Sequence, residues 1–160
     1  MIPFFEYNWQ VRDEWFAWCS QLPEEELIRF RTGGVGSFLK TLFHIIDVEY
    51  SWIRGIQGKE DIVFDYAGYD SLEKVQSLSD RCRSEVIEFL KENREGRATD
   101  AVRVPWDDEK FTVGEVLHHL IAHEIHHIGQ LSVWARELDL TPVSAHYAGR
   151  TLKPFVSYES

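Results

Sequence analysis

The sequence predicts an all-α fold, a four-helix bundle with long crossover connections. Three observations carry this expectation. Four segments of helix length place apolar residues three and four apart, connections bearing glycine or proline separate them, and nothing reads as a strand ladder. No repeat at a fixed period disturbs the pattern. The 160 residues are read as one domain, 1–160, long enough to bury a sizeable core.

The first helix is expected from about Phe4 to Cys19, where Phe5, Trp9, Arg12, Phe16 and Cys19 form a mostly apolar stripe. Leu22-Pro23 ends it, because proline lacks a donor and restricts the residue before it. The glycine-rich stretch "RTGGVGS" follows. No strand precedes it and the spacing of phosphate-binding loops is absent, so it reads as a loop ending at Ser37, a good N-cap. The second helix, about Phe38 to Arg54, closes at Gly55. After the aromatic loop "QGKEDIVFDYAGY", a third helix starts at Asp70 or Ser71, with Glu73 set for a capping box on Asp70, and runs to about Asn93 before a break at Gly96. "RVPWDDEKF" is a connection in which Val102, Val104 and Trp106 alternate, compatible with a short extended piece. Thr112 and Glu115 form a capping box opening the last helix, about Val113 to Leu138, which Thr141-Pro142 stops. The tail has no clear period and is expected to drape over the surface.

A formal charge of −10 and the lack of a basic run argue against nucleic acid or an anionic membrane surface as a partner. The N-terminus does not read as a signal peptide, and no apolar run has the length of a membrane span. Cys19 and Cys82 lie far apart inside helical patterns and read as buried thiols of a reducing compartment, so a cytoplasmic address is expected.

The chemistry concentrates in "AHEIHHIGQ", residues 122–130. Counting 100° per residue from His123, the residues Val116, Leu120, His127, Leu131, Trp134 and Leu138 fall within about 80° on one side of the helix. His123 and His127 therefore sit one turn apart inside the apolar stripe. His119 and His126 flank it, Glu124 lies toward the other flank, and His118 points away. Two imidazoles in a buried stripe need partners for their nitrogens; a metal ion satisfies both at once, and the alternative is a pair of core histidines bonded to waters or to each other. A third ligand must come from elsewhere. His44, in the aliphatic "TLFHIIDVEY", lies on another helix, and Thr41, Val48 and Ser51 on its face leave room beside an ion. A triad of His44, His123 and His127 would leave coordination positions open, as in a catalytic site.

His123-Glu124-x-x-His127 also spells the signature of zinc proteases, but the partners of that signature are missing. Gln130 and Val133 stand where the metzincin extension has Gly and His, and beyond Glu137 on the same helix the remaining glutamate is Glu159. A di-iron carboxylate site fails too, because the second E-x-x-H, Glu115 to His118, lies on the same helix. Glu124 is left with two readings, a general base or a partner orienting a ligand histidine.

The stretches "EYNWQVRDEWF", "GSFLKTLFHIIDVEYSWIRG" and "FTVGEVLHHLIAHEIHHIGQL", taken in order, resemble the DinB/YfiT-type family of metal-binding four-helix bundles. The last resembles the family's H-x-x-x-H-x-G-Q pattern, and His44 falls at the family's helix-two histidine. The resemblance implies a divalent ion, nickel or zinc, on the three histidines, and a homodimer. It also implies, for some relatives, thiol-dependent transfer or isomerisation using a low-molecular-weight thiol. Members often carry Arg where this chain has Ile128.

Two functions remain open at this stage. One is a metal-dependent enzyme on a small molecule, a thiol S-transferase or hydrolase, in which Glu124 or Gln130 orients or deprotonates the nucleophile. The other is a non-catalytic metal-binding stress-response dimer. An aromatic-lined cavity adjoining His44 would favour the enzyme and side chains filling that space the module, and Trp52 is placed either to line such a cavity or to fill it.

Overall fold

The computed structural model describes residues 1–93 and 97–155. Among these, the α-helices are α1 (Ile2–Cys19), α2 (Glu24–Ile28), α3 (Phe38–Ile56), α4 (Leu72–Glu92) and α5 (Val113–Glu137). A two-stranded antiparallel sheet, β1 (Ala101–Val104) and β2 (Asp107–Thr112), precedes α5. The chain is thus mostly helical, with a hairpin where the sequence showed no ladder. Helix α3 is central: it packs on α4, α5 and β1, while α1 closes against α4 and α5. No helix among the described residues is long and apolar enough to cross a membrane.

Local rules account for most element ends. Ser37, in extended conformation, accepts from the Lys40 amide at 3.2 Å and starts α3. Thr112 and Glu115 close the expected capping box on α5. At α4 the cap is Ser71, accepting from the Lys74 amide, and Asp70 instead pairs with the Lys74 ammonium at 2.7 Å. The expected Asp70–Glu73 box does not form. The break expected at Gly96 lies outside the described residues.

Gly55 does not terminate α3. It is buried one residue before the helix's last, and a Cβ there would stand 2.6 Å from Val104 Cγ1. Close approach of β1 is what requires glycine at this position. The hairpin pairs Ala101 with Thr112, Val102 with Phe111 and Val104 with Asp107, with an irregularity between Val102 and Val104. Only Val102 and Val104 bury their side chains, so β1 rests one face on α3 and leaves the other to solvent.

The core is aromatic and aliphatic, with Trp15, Phe38, Leu42, Ile46 and Trp134 fully buried. Cys19 and Cys82 are buried free thiols, and burial pushes each up to about 12. The tail is fastened rather than draped. Tyr7 donates to the Ala145 carbonyl at 2.7 Å, Trp18 donates to the Thr141 carbonyl at 2.9 Å, and Phe155 packs on Trp9.

Candidate metal centre

His44 from the middle of α3 meets His123 and His127 from the middle of α5, where the two helices pack. One ligand nitrogen from each lies within 4.8 Å of the other two. His123 Nε2 and His44 Nε2 are 3.2 Å apart. Two nitrogens on one ion, each about 2.0–2.1 Å from it, sit roughly 3.0–3.4 Å from each other. The three rings converge, His123 and His127 with centroids 4.5 Å apart and His44 about equidistant from both, at 5.0 and 4.9 Å.

Their electrostatics favour a cation. Burial pushes His44 below the ordinary imidazole range, with the neighbouring His127 and Lys40 adding to the effect. His123 is driven down to about 3 by burial and by His127, His44, His119 and His126. His127 is lowered by burial, opposed by its bond to Gln130. Three imidazoles that resist protonation keep their lone pairs for a ligand.

Gln130 fixes the third ring. Its Oε1 lies 2.9 Å from His127 Nδ1, so the ring donates there and turns a bare Nε2 toward the cluster. Its Nε2 meets His126 at 3.1 Å. The glycine loop makes room for this amide. Gly34 has φ +51°, and a Cβ on it would stand 2.1 Å from Gln130 Oε1. Beside it, Trp134 donates to the Thr32 carbonyl. The loop is therefore a fitted cover over the Gln130 turn of α5.

Glu124 points the other way. Only 2% exposed, it gives both oxygens to Arg12, Oε1 to Nε at 2.8 Å and Oε2 to Nη2 at 2.7 Å. Arg12 also binds Glu49, which accepts from Trp9 Nε1 as well, and reaches Ser79 at 3.5 Å. One guanidinium thus joins α1, α3, α4 and α5 through buried groups. Burial works against its charge, but Glu124 and Glu49 outweigh that and hold it protonated. Burial also pushes the Glu124 carboxyl up, against the pull of Arg12. Ile128 is buried in the core.

A recess of about 270 Å³ is lined by Trp52, Phe111, Val116, His119, Asp107 and Glu115; it neighbours the triad through His119 and is not lined by His44, where an aromatic cavity was expected. His119 connects the two, its ring 5.6 Å from His123 and 5.8 Å from Trp52. Half-buried Trp52 is part of the wall, standing edge-on to Phe111 and Trp106. Two recesses of about 380 Å³ lie elsewhere, under Phe30 and beside Phe155, and neither is lined by a histidine.

The sequence reading placed the triad's residues but not their supports. Arg12 carried a usable signal, a guanidinium inside an apolar stripe, which must find buried carboxylates. Nothing in the spacing identified Glu49, Gly34 or the hairpin residues Asp107 and Phe111 as parts of the site.

Comparison with known proteins agrees with this architecture. The chain is 62% identical over 159 residues to the uncharacterized protein YizA of Bacillus subtilis (strain 168), covering 99% of this chain and 100% of that one. The crystal structure of a DinB-like protein from Bacillus cereus ATCC 10987 shares the fold at a TM-score of 0.62 and 18% identity, over 92% of this chain and all of that one. The family model of the DinB family matches residues 2–153. With the helical fold, the three-histidine group and these relatives in agreement, the chain belongs to the DinB family.

Proposed function

We propose that this chain is a single-domain four-helix bundle, residues 1–160, that binds a divalent metal ion, nickel or zinc, and works as a metal-dependent enzyme on a small molecule. The observation that carries the reading is the convergence of three neutral imidazoles, with an aromatic recess one ring away across His119. An ion held there would lower the pKa of a water or a low-molecular-weight thiol in an open position. Thiol S-transfer to an electrophile is the reaction class we favour, with hydrolysis as its neighbour.

The chain's own residues supply the rest. His44, His123 and His127 would hold the ion. Gln130 keeps the Nδ1 proton on His127, so that Nε2 is the nitrogen presented. Glu124, tied to Arg12, anchors α5 beside His123, which makes its part positional. Trp52, Phe111 and Val116 exclude water from one side of the space next to His119. The recess favours an enzyme over a purely metal-binding module, because a site with no substrate would not need it. A homodimer, taken from the family resemblance, is proposed with it, and sedimentation velocity tests that part.

Metal analysis of the natively purified protein tests the core of the reading. The protein is expected to hold about one divalent ion per chain, and His44→Ala, His123→Ala and His127→Ala are each expected to lose it. His118→Ala, whose ring is bonded to the Gly114 carbonyl of its own helix, is expected to keep it. Retention of metal by His123→Ala would refute the triad. Incubating the loaded protein with candidate thiols and electrophiles then tests the reaction.

A further inference from the structure

We propose that the recess beside His119 receives the cationic end of the small molecule, an ammonium group on an apolar or aromatic stem. This rests on the reading of the neighbouring triad as the reactive centre, and it names the chemistry of what sits next to it.

The walls and the rim of the recess differ in character. Trp52, Phe111 and Val116 form apolar walls, with Trp52 at 84° to Phe111 and their centroids 5.4 Å apart. These rings bring aromatic surface to the recess, Trp52 being in edge contact with Trp106 and His119 as well. The rim carries Asp107 and Glu115, and among the lining residues there is no lysine or arginine.

Both carboxylates keep an oxygen for a ligand. Glu115 takes the Thr112 amide and hydroxyl on Oε2 alone, at 2.8 and 2.9 Å. Asp107 takes the Glu109 amide on Oδ1 at 2.9 Å. The Thr112 bonds hold the Glu115 carboxyl below its usual range, so that it stays ionised. Carboxylate oxygens beside aromatic faces are the two attractions an ammonium group uses. A carboxylate or phosphate in the same place would meet like charges, with no lysine or arginine in the lining to offset them. The two carboxylates also offset the charge of an ion at the triad, which would otherwise repel an ammonium group. The whole-chain charge of −10 draws cations toward this surface.

Three probes of matched size separate the alternatives: 3-phenylpropylammonium, 3-phenylpropan-1-ol and 3-phenylpropanoate. Each is titrated at pH 7 into the full chain as purified and again after chelator treatment, followed by tryptophan fluorescence and saturation-transfer NMR. The ammonium probe is expected to bind about tenfold more tightly than the alcohol, with the carboxylate weakest and the advantage shrinking as salt is added. Asp107→Asn and Glu115→Gln are each expected to cut ammonium binding severalfold and leave the alcohol unchanged. Glutamine at 115 still closes the capping box, which keeps α5 intact. Equal binding of ammonium and alcohol, preference for the carboxylate, or no binding of any probe at millimolar concentration would each overturn the proposal. So would unchanged ammonium binding in the Asp107→Asn, Glu115→Gln double variant. Because the series is also run without metal, a chain that takes up no metal but still prefers the ammonium probe refutes the triad reading and leaves this one standing.

Discussion

Arg12→Met removes the one cation that separates Glu49 from Glu124. All three side chains are almost fully buried, at 0%, 4% and 2% exposure. Methionine replaces the arginine stem with a flexible apolar chain, so the loss is mainly of charge and hydrogen bonds rather than volume. Breaking a buried ion pair from one side costs about 3–5 kcal/mol, because the stranded charge keeps its desolvation penalty. Here two carboxylates are stranded, although Trp9 still donates to Glu49 at 3.0 Å. For a chain of this length about 3–5 kcal/mol corresponds to a Tm lower by roughly 6–20 °C. Urea unfolding followed by far-UV circular dichroism measures the loss. A second signature comes from pH. Without Arg12 the native carboxyls hold protons more tightly than the unfolded chain does, so the variant's deficit relative to the unsubstituted chain shrinks as pH falls from 7 toward 5. The triple variant Arg12→Met, Glu49→Met, Glu124→Met is expected to recover most of the deficit, because it removes the stranded charges. A loss below about 1 kcal/mol at pH 7, or a triple variant no more stable than the single one, would refute the argument that charge is what Arg12 supplies.

The remaining predictions concern the glycines and the histidines. Gly34→Ala places a methyl on Gln130 Oε1 and strains a backbone at φ +51°, so it is expected to release His127 and weaken metal binding about 10–100-fold. Isothermal titration of metal into the variant, with Gly33→Ala as the control that meets no neighbour, tests this. Gly55→Ala drives a methyl against Val104 and is expected to cost about 1–3 kcal/mol of stability, read from urea midpoints; an unchanged midpoint would mean the hairpin does not bear on α3. Metal-free protein is expected to lose stability as pH falls from about 6.5 toward 3. Burial, with His127 next, holds His123 at about 3, whereas the unfolded chain takes up protons near 6.5. The native state therefore binds fewer protons across that window, and stability is greatest above it. His123→Gln should flatten the slope of Tm against pH, and an unaltered slope would exclude His123 as its source.

What could be read from the sequence was whatever a single helix determines by itself. Helical spacing put His123 and His127 on one face, and Ser37, Thr112 and Glu115 announced their caps because capping acts over three residues. Choosing His44 needed only the oddity of an imidazole among aliphatic residues. The parts that stayed hidden are settled between elements. Arg12 meets Glu124 across 112 positions and Glu49 across 37, and no local period encodes such a pairing. Gly55 looked like a helix end because glycine commonly is one, but the nearness of Val104 decides its place. The alternation of Val102 and Val104 gave away the extended piece that is β1, but its partner β2 escaped because none of its residues is buried and no apolar alternation marks it. The short α2 follows Pro23, which was read only as a stop and also serves as a start.

The hairpin divides the site into two independently adjustable parts. The histidines belong to long helices packed in the core, whereas Asp107 and Phe111 belong to β2, a strand that packs beside α5 and buries none of its residues. If the triad holds an ion and the recess a ligand, as proposed, residues 107–111 of β2 can vary the recess while the two helices that carry the imidazoles, and the Thr112 cap of α5, stay constant.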